Sequence, residues 1–167
     1  DWLADQGWTR HDDTRVMVCP AIPRITPTPL PTGTQWERLD GAAYALAIGQ
    51  LRGTPPGQIE AHAQRLAASP VAYQGFAIRR SSDGAVLACG QLAREAELVG
   101  LYDIHTQAGT RRQGFAITLC ERLLALSTHE GATIAYLQVE AGNEPARRLY
   151  HRLGFADAYA YHYRQAP

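Results

Sequence analysis

The sequence has no excess of charge of either sign. Its 167 residues contain 16 Lys plus Arg and 16 Asp plus Glu, which gives a formal net charge of zero. Without a net positive field, the chain is not expected to bind nucleic acid or an anionic membrane surface. It also has no apolar run near the roughly 18 residues that a membrane-spanning helix requires, and no signal-peptide pattern. This length and composition fit one main globular domain.

Cysteine is also scarce. The three cysteines, Cys19, Cys89 and Cys120, lie far apart in the sequence. They lack the short spacings of metal-binding cysteines, so no metal is expected. Three separate thiols are typical of a reduced protein, and we therefore expect a cytoplasmic location.

The first residue is Asp1 and the only methionine is Met17. This favours a longer polypeptide with sequence upstream. Residues 1–19 read as a short helix and a strand, which cannot bury a core of their own. They are expected either to pack on the main domain or to be the remnant of an upstream segment or domain. Residues 20–34 carry five of the ten prolines, a spacing that favours an extended linker. Residues 35–167 are then expected to form the main domain.

Hydrophobic periodicity predicts helices and strands alternating along the main domain. Antiparallel strands are expected first, then a strand–helix–strand unit, a further helix and a last strand. This order predicts an α/β fold with a mixed, mostly antiparallel sheet flanked by helices on both faces. The predicted helices cover residues 36–51, 59–68, 114–128 and 145–152, and the predicted strands cover residues 71–80, 85–93, 98–106, 133–140 and 158–164.

Residues 110–116 form a turn between a buried strand and a strong helix. A helix start has backbone N–H groups without partners and a partial positive charge. The small Gly114 and Ala116 let an anion approach these groups, and Arg111 and Arg112 add charge, which together predict a pyrophosphate site. The motifs of P-loop and dinucleotide-binding proteins are both missing. The alternative is a tight turn with a solvated pair of arginines.

The pattern Arg111-x-x-Gly114-x-Ala116 resembles the Arg/Gln-x-x-Gly-x-Gly/Ala signature of the GNAT superfamily of N-acetyltransferases. Downstream, a strand is followed by Asn143, then by a helix that contains Ala146, Leu149 and Tyr150, and then by Leu-Gly-Phe at residues 153–155. This is similar to the second signature of the family. The resemblance covers about residues 35–165.

The resemblance implies a GNAT fold whose strands splay apart around a coenzyme A site. It implies acetyl-CoA as co-substrate and transfer of the acetyl group to a primary amine by direct attack on the thioester. The alternative is a non-catalytic, regulatory module that binds acyl-CoA. The residues expected to bind the cofactor are Ile104, Thr106, Arg111, Arg112, Gln113, Gly114, Phe115, Ala116 and Asn143.

The resemblance also gives Tyr150 a role as proton donor to the departing thiolate. Its spacing from Ala146 and Leu153 equally fits a buried helix face, and a tyrosine can bury its ring while presenting its hydroxyl. Asn143 fits either a helix cap or a contact with coenzyme A.

A base must deprotonate the incoming amine, and Asp103, His105 and Glu140 lie near the expected cleft. Simple strand alternation places Asp103 and His105 on the face opposite Ile104, although the family often has a bulge in this strand. We name Asp103 and His105 as the candidates. The acceptor is expected to be a small-molecule or peptide amine, and a homodimer is a further hypothesis.

Overall fold

The computed structural model describes residues 2–167. Its helices are α1 (Trp2–Asp5), α2 (Gly41–Arg52), α3 (Pro56–Ala68), α4 (Phe115–His129) and α5 (Glu144–Arg152). Its strands are β1 (Thr9–Cys19), β2 (Thr34–Leu39), β3 (Tyr73–Arg80), β4 (Val86–Glu95), β5 (Leu98–Thr106), β6 (Ile134–Glu140) and β7 (Ala156–Gln165). Within residues 2–167, none of these helices has the length and apolar character needed to cross a bilayer.

The seven strands form one sheet in the order β2-β3-β4-β5-β6-β1-β7. Only β5 and β6 pair in parallel, and every other neighbouring pair is antiparallel. One face carries the main core with α4 and α5, and the other carries a smaller core with α2. Successive β3 residues show this division, because Ile78 belongs to the first core and Ala77 to the second. The predicted mixed, mostly antiparallel α/β sheet with helices on both faces is confirmed.

The N-terminal strand lies inside this sheet. β1 pairs with β6 along one edge and with β7 along the other. Met17 is fully buried and Cys19 is 1% exposed, and both belong to the main core. Of the two alternatives for this N-terminal segment, the strand follows the first. It belongs to the main domain, because its backbone pairs with β6 and β7 and its apolar side chains pack in the main core.

The proline-rich segment crosses the α4 face between β1 and β2. Ile22, Ile25 and Leu30 pack partly buried against the main core. The amide of Thr28 donates to the Glu121 carboxylate at 2.8 Å. The segment has no regular secondary structure over residues 22–31, as its prolines require, but it is held against α4 and does not separate two units.

The helix predicted over residues 36–51 is in fact a strand followed by a helix. β2 pairs with β3, and Trp36 stacks on Phe76 with ring centroids 5.0 Å apart. Asp40 then caps α2, because its side chain accepts a hydrogen bond from the Ala43 amide at 2.8 Å. Apolar residues on both sides of Asp40 made the boundary between β2 and α2 hard to predict. Asp40 itself, a favoured N-cap residue, was the feature of the sequence that indicated it.

The parallel pair β5–β6 separates half-way along its length. Pairing runs from Leu98 and Ile134 to Leu101 and Leu137. β5 then continues to Thr106 and β6 to Glu140 without pairing to each other. The predicted splay of two central strands is therefore present, and it opens toward the turn that precedes α4.

Candidate functional site

A bulge in β5 lies where the two strands separate. On one side of it His105 pairs with Cys89, and on the other side Tyr102 pairs with Gln91. Gly90 therefore faces two β5 residues, and the first of these, Asp103, has a φ of 53°. A left-handed backbone at a non-glycine residue is uncommon, and in a bulge it redirects side chains.

The bulge changes which side chains share a face of the sheet. Ile104 lies on the α4 face, because a Cβ on Gly90 would meet Ile104 Cδ1 at 2.5 Å and Leu119 Cδ2 at 3.2 Å. Asp103 lies on the α2 face, where it contacts Arg52 of that helix. Simple alternation predicted Asp103 and His105 on the face opposite Ile104, and the structure agrees. The prediction that Tyr102 shares the face of Ile104 is wrong, because Leu101 packs in the main core and the bulge shifts the alternation by one residue.

The Asp103 carboxylate is engaged by two side chains. One oxygen accepts from the Arg52 guanidinium at 2.8 Å and the other from the Gln91 amide at 3.2 Å. The Tyr44 hydroxyl reaches the Asp103 carbonyl at 3.5 Å. These contacts fix the conformation of the bulge and leave Asp103 as part of an ion pair.

His105 lies beside the same ion pair. Burial lowers its pKa below the ordinary value of 6.5, and the charges of Arg52 and Arg111 lower that pKa further. The Asp103 carboxylate and a hydrogen bond with the Leu51 backbone raise it. The imidazole is thus neutral at pH 7 and able to accept a proton. Glu140, which had also been expected near the cleft, is exposed at the end of β6 and pairs with Thr14 of β1.

The turn before α4 presents open backbone. A 3₁₀ turn, Ala108–Thr110, leads into it, and Arg112 and Gly114 have φ values of 64° and 85°. The first hydrogen bond of the helix runs from the Thr118 amide to the Gly114 carbonyl at 3.0 Å, so the amides of residues 115–117 point out of the helix end.

The side chains of this turn are arranged for an anion. Arg111, Arg112 and Gln113 are exposed. A Cβ on Gly114 would have no neighbour within 4 Å, so the space in front of the turn is open. Phe115 is only 5% exposed and anchors the helix start in the core. This combination fits a phosphate group lying against the helix end.

Tyr150 belongs to α5, and Asn143 is the residue at which this helix begins. Tyr150 is 7% exposed, with its ring edge-on to Phe155 at 6.0 Å. Burial raises the pKa of its hydroxyl, with a smaller contribution from Cys120, so this phenol keeps its proton. The Asn143 side chain accepts a hydrogen bond from the Ala146 amide at 3.3 Å and therefore caps α5, the first of its two expected roles.

A cleft of about 400 Å³ lies between α2 and α3 on the other face of the sheet and reaches the bulge. The two helices approach closely at Gly49, where a Cβ would meet Ile59 Cδ1 at 2.5 Å. The sequence reasoning missed this cleft, although α2 and α3 had been expected as helices. The residues that line it are Ala45, Ile48, Gly49, Arg52, Thr54, Gln58, Ile59, His62, Arg65 and Asp103.

A family model described as Probable histone acetyltransferase Rv0428c C-terminal matches residues 4–164. The chain belongs to this family, within the GNAT superfamily of acetyltransferases. No curated protein sequence matches this GNAT domain at a significant level.

Solved structures share the fold. The domain is similar to a GCN5-related N-acetyltransferase from Sphaerobacter thermophilus, with a TM-score of 0.76 and 20% identity over 98% of this chain and 54% of that one. A second such protein, from Kribbella flavida, has a TM-score of 0.68 and 19% identity over 99% and 62% of the two chains. A tandem GNAT protein from the clavulanic acid biosynthesis pathway has a TM-score of 0.74 and 12% identity, over 98% and 56%. The chain thus spans only a little over half the length of these proteins.

On the α4 face, two features of the GNAT domain fit coenzyme A. The open turn at Gly114 fits the pyrophosphate, and β5 beyond Leu101 has backbone groups that face β6 without pairing to it. For a metal ion, residues 2–167 contain no group of three or more His, Cys, Asp or Glu side chains that could hold one.

Proposed function

We propose that this domain transfers an acetyl group from acetyl-CoA to a primary amine. The observation that carries the proposal is the turn with positive φ at Gly114, which starts α4 beside the splay of β5 and β6. Because the chain belongs to an acetyltransferase family, we infer that this turn binds the pyrophosphate of acetyl-CoA. Its location on the face opposite the α2–α3 cleft gives donor and acceptor separate entrances.

The cofactor is held mainly by backbone in this proposal. The amides around Gly114 bind the pyrophosphate, and Arg111 and Arg112 add positive charge. The side of β5 at residues 104–106 that does not pair with β6 binds the pantetheine arm. When bound, acetyl-CoA supplies the activated acetyl group as a thioester. Asn143 contributes indirectly, because its cap fixes the start of α5, the helix that carries Tyr150.

The remaining residues move protons and stabilise charge. An alkylamine has a pKa near ~10 and reaches the site charged, so His105, neutral at pH 7, accepts its proton through water. In this proposal Asp103 orients the bulge, and the backbone N–H of Ile104 stabilises the developing oxyanion. Tyr150 holds a proton in the buried core and donates it to the thiolate that leaves.

A catalytic role is favoured over the non-catalytic alternative by Tyr150 and His105. A module that only bound acyl-CoA would need the Gly114 turn but neither a buried, protonated phenol nor a half-buried neutral imidazole. The three free and buried cysteines support the proposed cytoplasmic location.

The test is calorimetric titration of the protein with acetyl-CoA, comparing the wild type with Gly114→Trp. We expect saturable binding by the wild type and a loss of at least about 100-fold in affinity for the variant, since the indole fills the space that the pyrophosphate needs. Gly84→Trp is the matched control. Gly84 also lies in an exposed turn with positive φ (71°) and open space, so it carries the same backbone strain far from the α4 turn.

Equal loss of affinity in both variants would attribute the effect to strain and contradict the proposed site. A folded wild type that does not bind acetyl-CoA would contradict the proposed function itself.

A further inference from the structure

The α2–α3 cleft carries more positive than negative charge. The guanidinium groups of Arg52 and Arg65 line it, and Asp103 is the one carboxylate among its lining residues within the described chain. Asp103 is already paired with Arg52 at 2.8 Å. The charge of Arg65 is therefore not balanced inside the cleft.

Arg65 is available to a ligand. It lies exposed on α3, two helical turns along from Gln58 on the face that lines the cleft. Within residues 2–167 the structure gives its guanidinium no hydrogen bond or ion pair. A guanidinium presents a planar fork of donors that matches a carboxylate or phosphate. A lysine-rich or polyamine acceptor would instead meet a cleft of its own charge sign.

The cleft also joins this arginine to the site of transfer. Its lining runs from Arg65 and His62 on α3, across Arg52 on α2, to Asp103 in the bulge. A volume of about 400 Å³ is in the range of small-molecule sites, which is roughly 300–1,000 Å³. A small molecule with an amine at one end and an anion at the other fits this arrangement.

We propose that the acceptor is a small amine that also bears a carboxylate or a phosphate, with the anionic group bound by Arg65 at the outer end of the cleft. The amine then lies at the bulge, beside Asp103 and His105. This inference rests on the proposed function, because it names the substrate class of the same transfer site.

The experiment measures thiol release from acetyl-CoA with matched pairs of acceptors. β-Alanine is compared with its methyl ester, and O-phosphoethanolamine with ethanolamine, so that the pairs separate carboxylate from phosphate recognition. We expect kcat/KM to be at least about 10-fold higher for the anionic member of one pair, as expected for a charge-assisted hydrogen bond. The amine of the methyl ester is less basic than that of β-alanine, so a larger fraction of it is neutral and basicity alone would favour the ester. A preference for β-alanine therefore arises from its carboxylate.

The variant Arg65→Gln should abolish that preference through KM and leave the neutral acceptors and the affinity for acetyl-CoA unchanged. The matched control is Arg38→Gln, which removes an exposed arginine from β2, outside the cleft. It should keep the preference.

Two results would overturn the inference while the proposed function stands: equal kcat/KM within both pairs, or a preference that survives in Arg65→Gln. Weaker acetyl-CoA binding by Arg65→Gln would also overturn it, since the arginine would then serve the cofactor. A wild type that binds no acetyl-CoA would overturn both proposals.

Discussion

On the α4 face, the proposed pyrophosphate site is made by seven consecutive residues, 110–116, whereas on the α2 face the proposed acceptor cleft is assembled from α2, α3 and β5. The first uses backbone groups and tolerates many side chains. The second depends on individual side chains such as Arg52 and Asp103, which lie more than fifty residues apart in the sequence. The comparison teaches that donor binding can follow from a local motif, while acceptor choice follows from tertiary structure.

Tyr150→Phe should have the largest effect on turnover without an effect on cofactor affinity. We expect kcat to fall by about 100-fold or more, since a general acid typically contributes about 10²–10⁴-fold. The dissociation constant for acetyl-CoA and the Tm should change little, because the ring still packs against Phe155. Calorimetry, kinetics and thermal melting measure the three quantities.

The exposed Tyr159, which is 62% accessible, gives the matched control Tyr159→Phe. Equal kcat values for the wild type and Tyr150→Phe would remove the tyrosine from the mechanism and leave it as part of the core.

His105→Gln tests the acceptor face through pH. Because the pKa of His105 in the folded protein lies below 6.5, the neutral imidazole predominates at pH 7. It is lost as the pH falls through this pKa. We expect kcat/KM to fall about 10–100-fold at pH 7 and the acidic limb of the pH profile to flatten. A variant that keeps the acidic limb would assign this limb to another group.

The same histidine should also affect stability. Its depressed pKa means that the unfolded chain binds the proton more readily, so the contribution to stability is present above pH 6.5 and is lost as the pH falls through the folded pKa. The Tm of the wild type should therefore drop more steeply on acidification than that of His105→Gln. Parallel Tm curves would show that burial of His105 has no linkage to folding.

Gly49→Ala should have the smallest effect, confined to the acceptor side. The new methyl group would meet Ile59 Cδ1 at 2.5 Å, so α3 must shift or Ile59 must change rotamer, at a cost of about 1–3 kcal/mol of stability. We expect a several-fold change in acceptor KM and an unchanged affinity for acetyl-CoA. The control is Gly57→Ala, on α3, where a Cβ would have open space around it; the acceptor KM and the affinity for acetyl-CoA should both stay unchanged. A change in acetyl-CoA affinity for Gly49→Ala would mean that the two faces of the sheet are coupled.

The cofactor side could be predicted because it depends on sequence-local properties. Gly114 and Ala116 at a helix start indicate the proposed anion site directly. The sheet type followed from the order of the predicted helices and strands, and the splay followed from the family resemblance. The acceptor cleft was not predicted, because nothing in the sequence shows that Arg52 meets Asp103 or that Gly49 lets α3 approach. The bulge was anticipated as a family feature, but its position at Asp103 required the pairing with β4.

The location of β1 has a practical consequence for dissecting this domain. β7 pairs with β1 and with no other strand in the described chain, so a fragment that begins at the proline-rich segment would retain every motif residue and yet leave β6 and β7 with unpaired edges. Exposed strand edges promote aggregation. The same geometry makes the strand a candidate for fragment complementation, in which a synthetic peptide of residues 9–19 restores the shortened protein and reports its assembly.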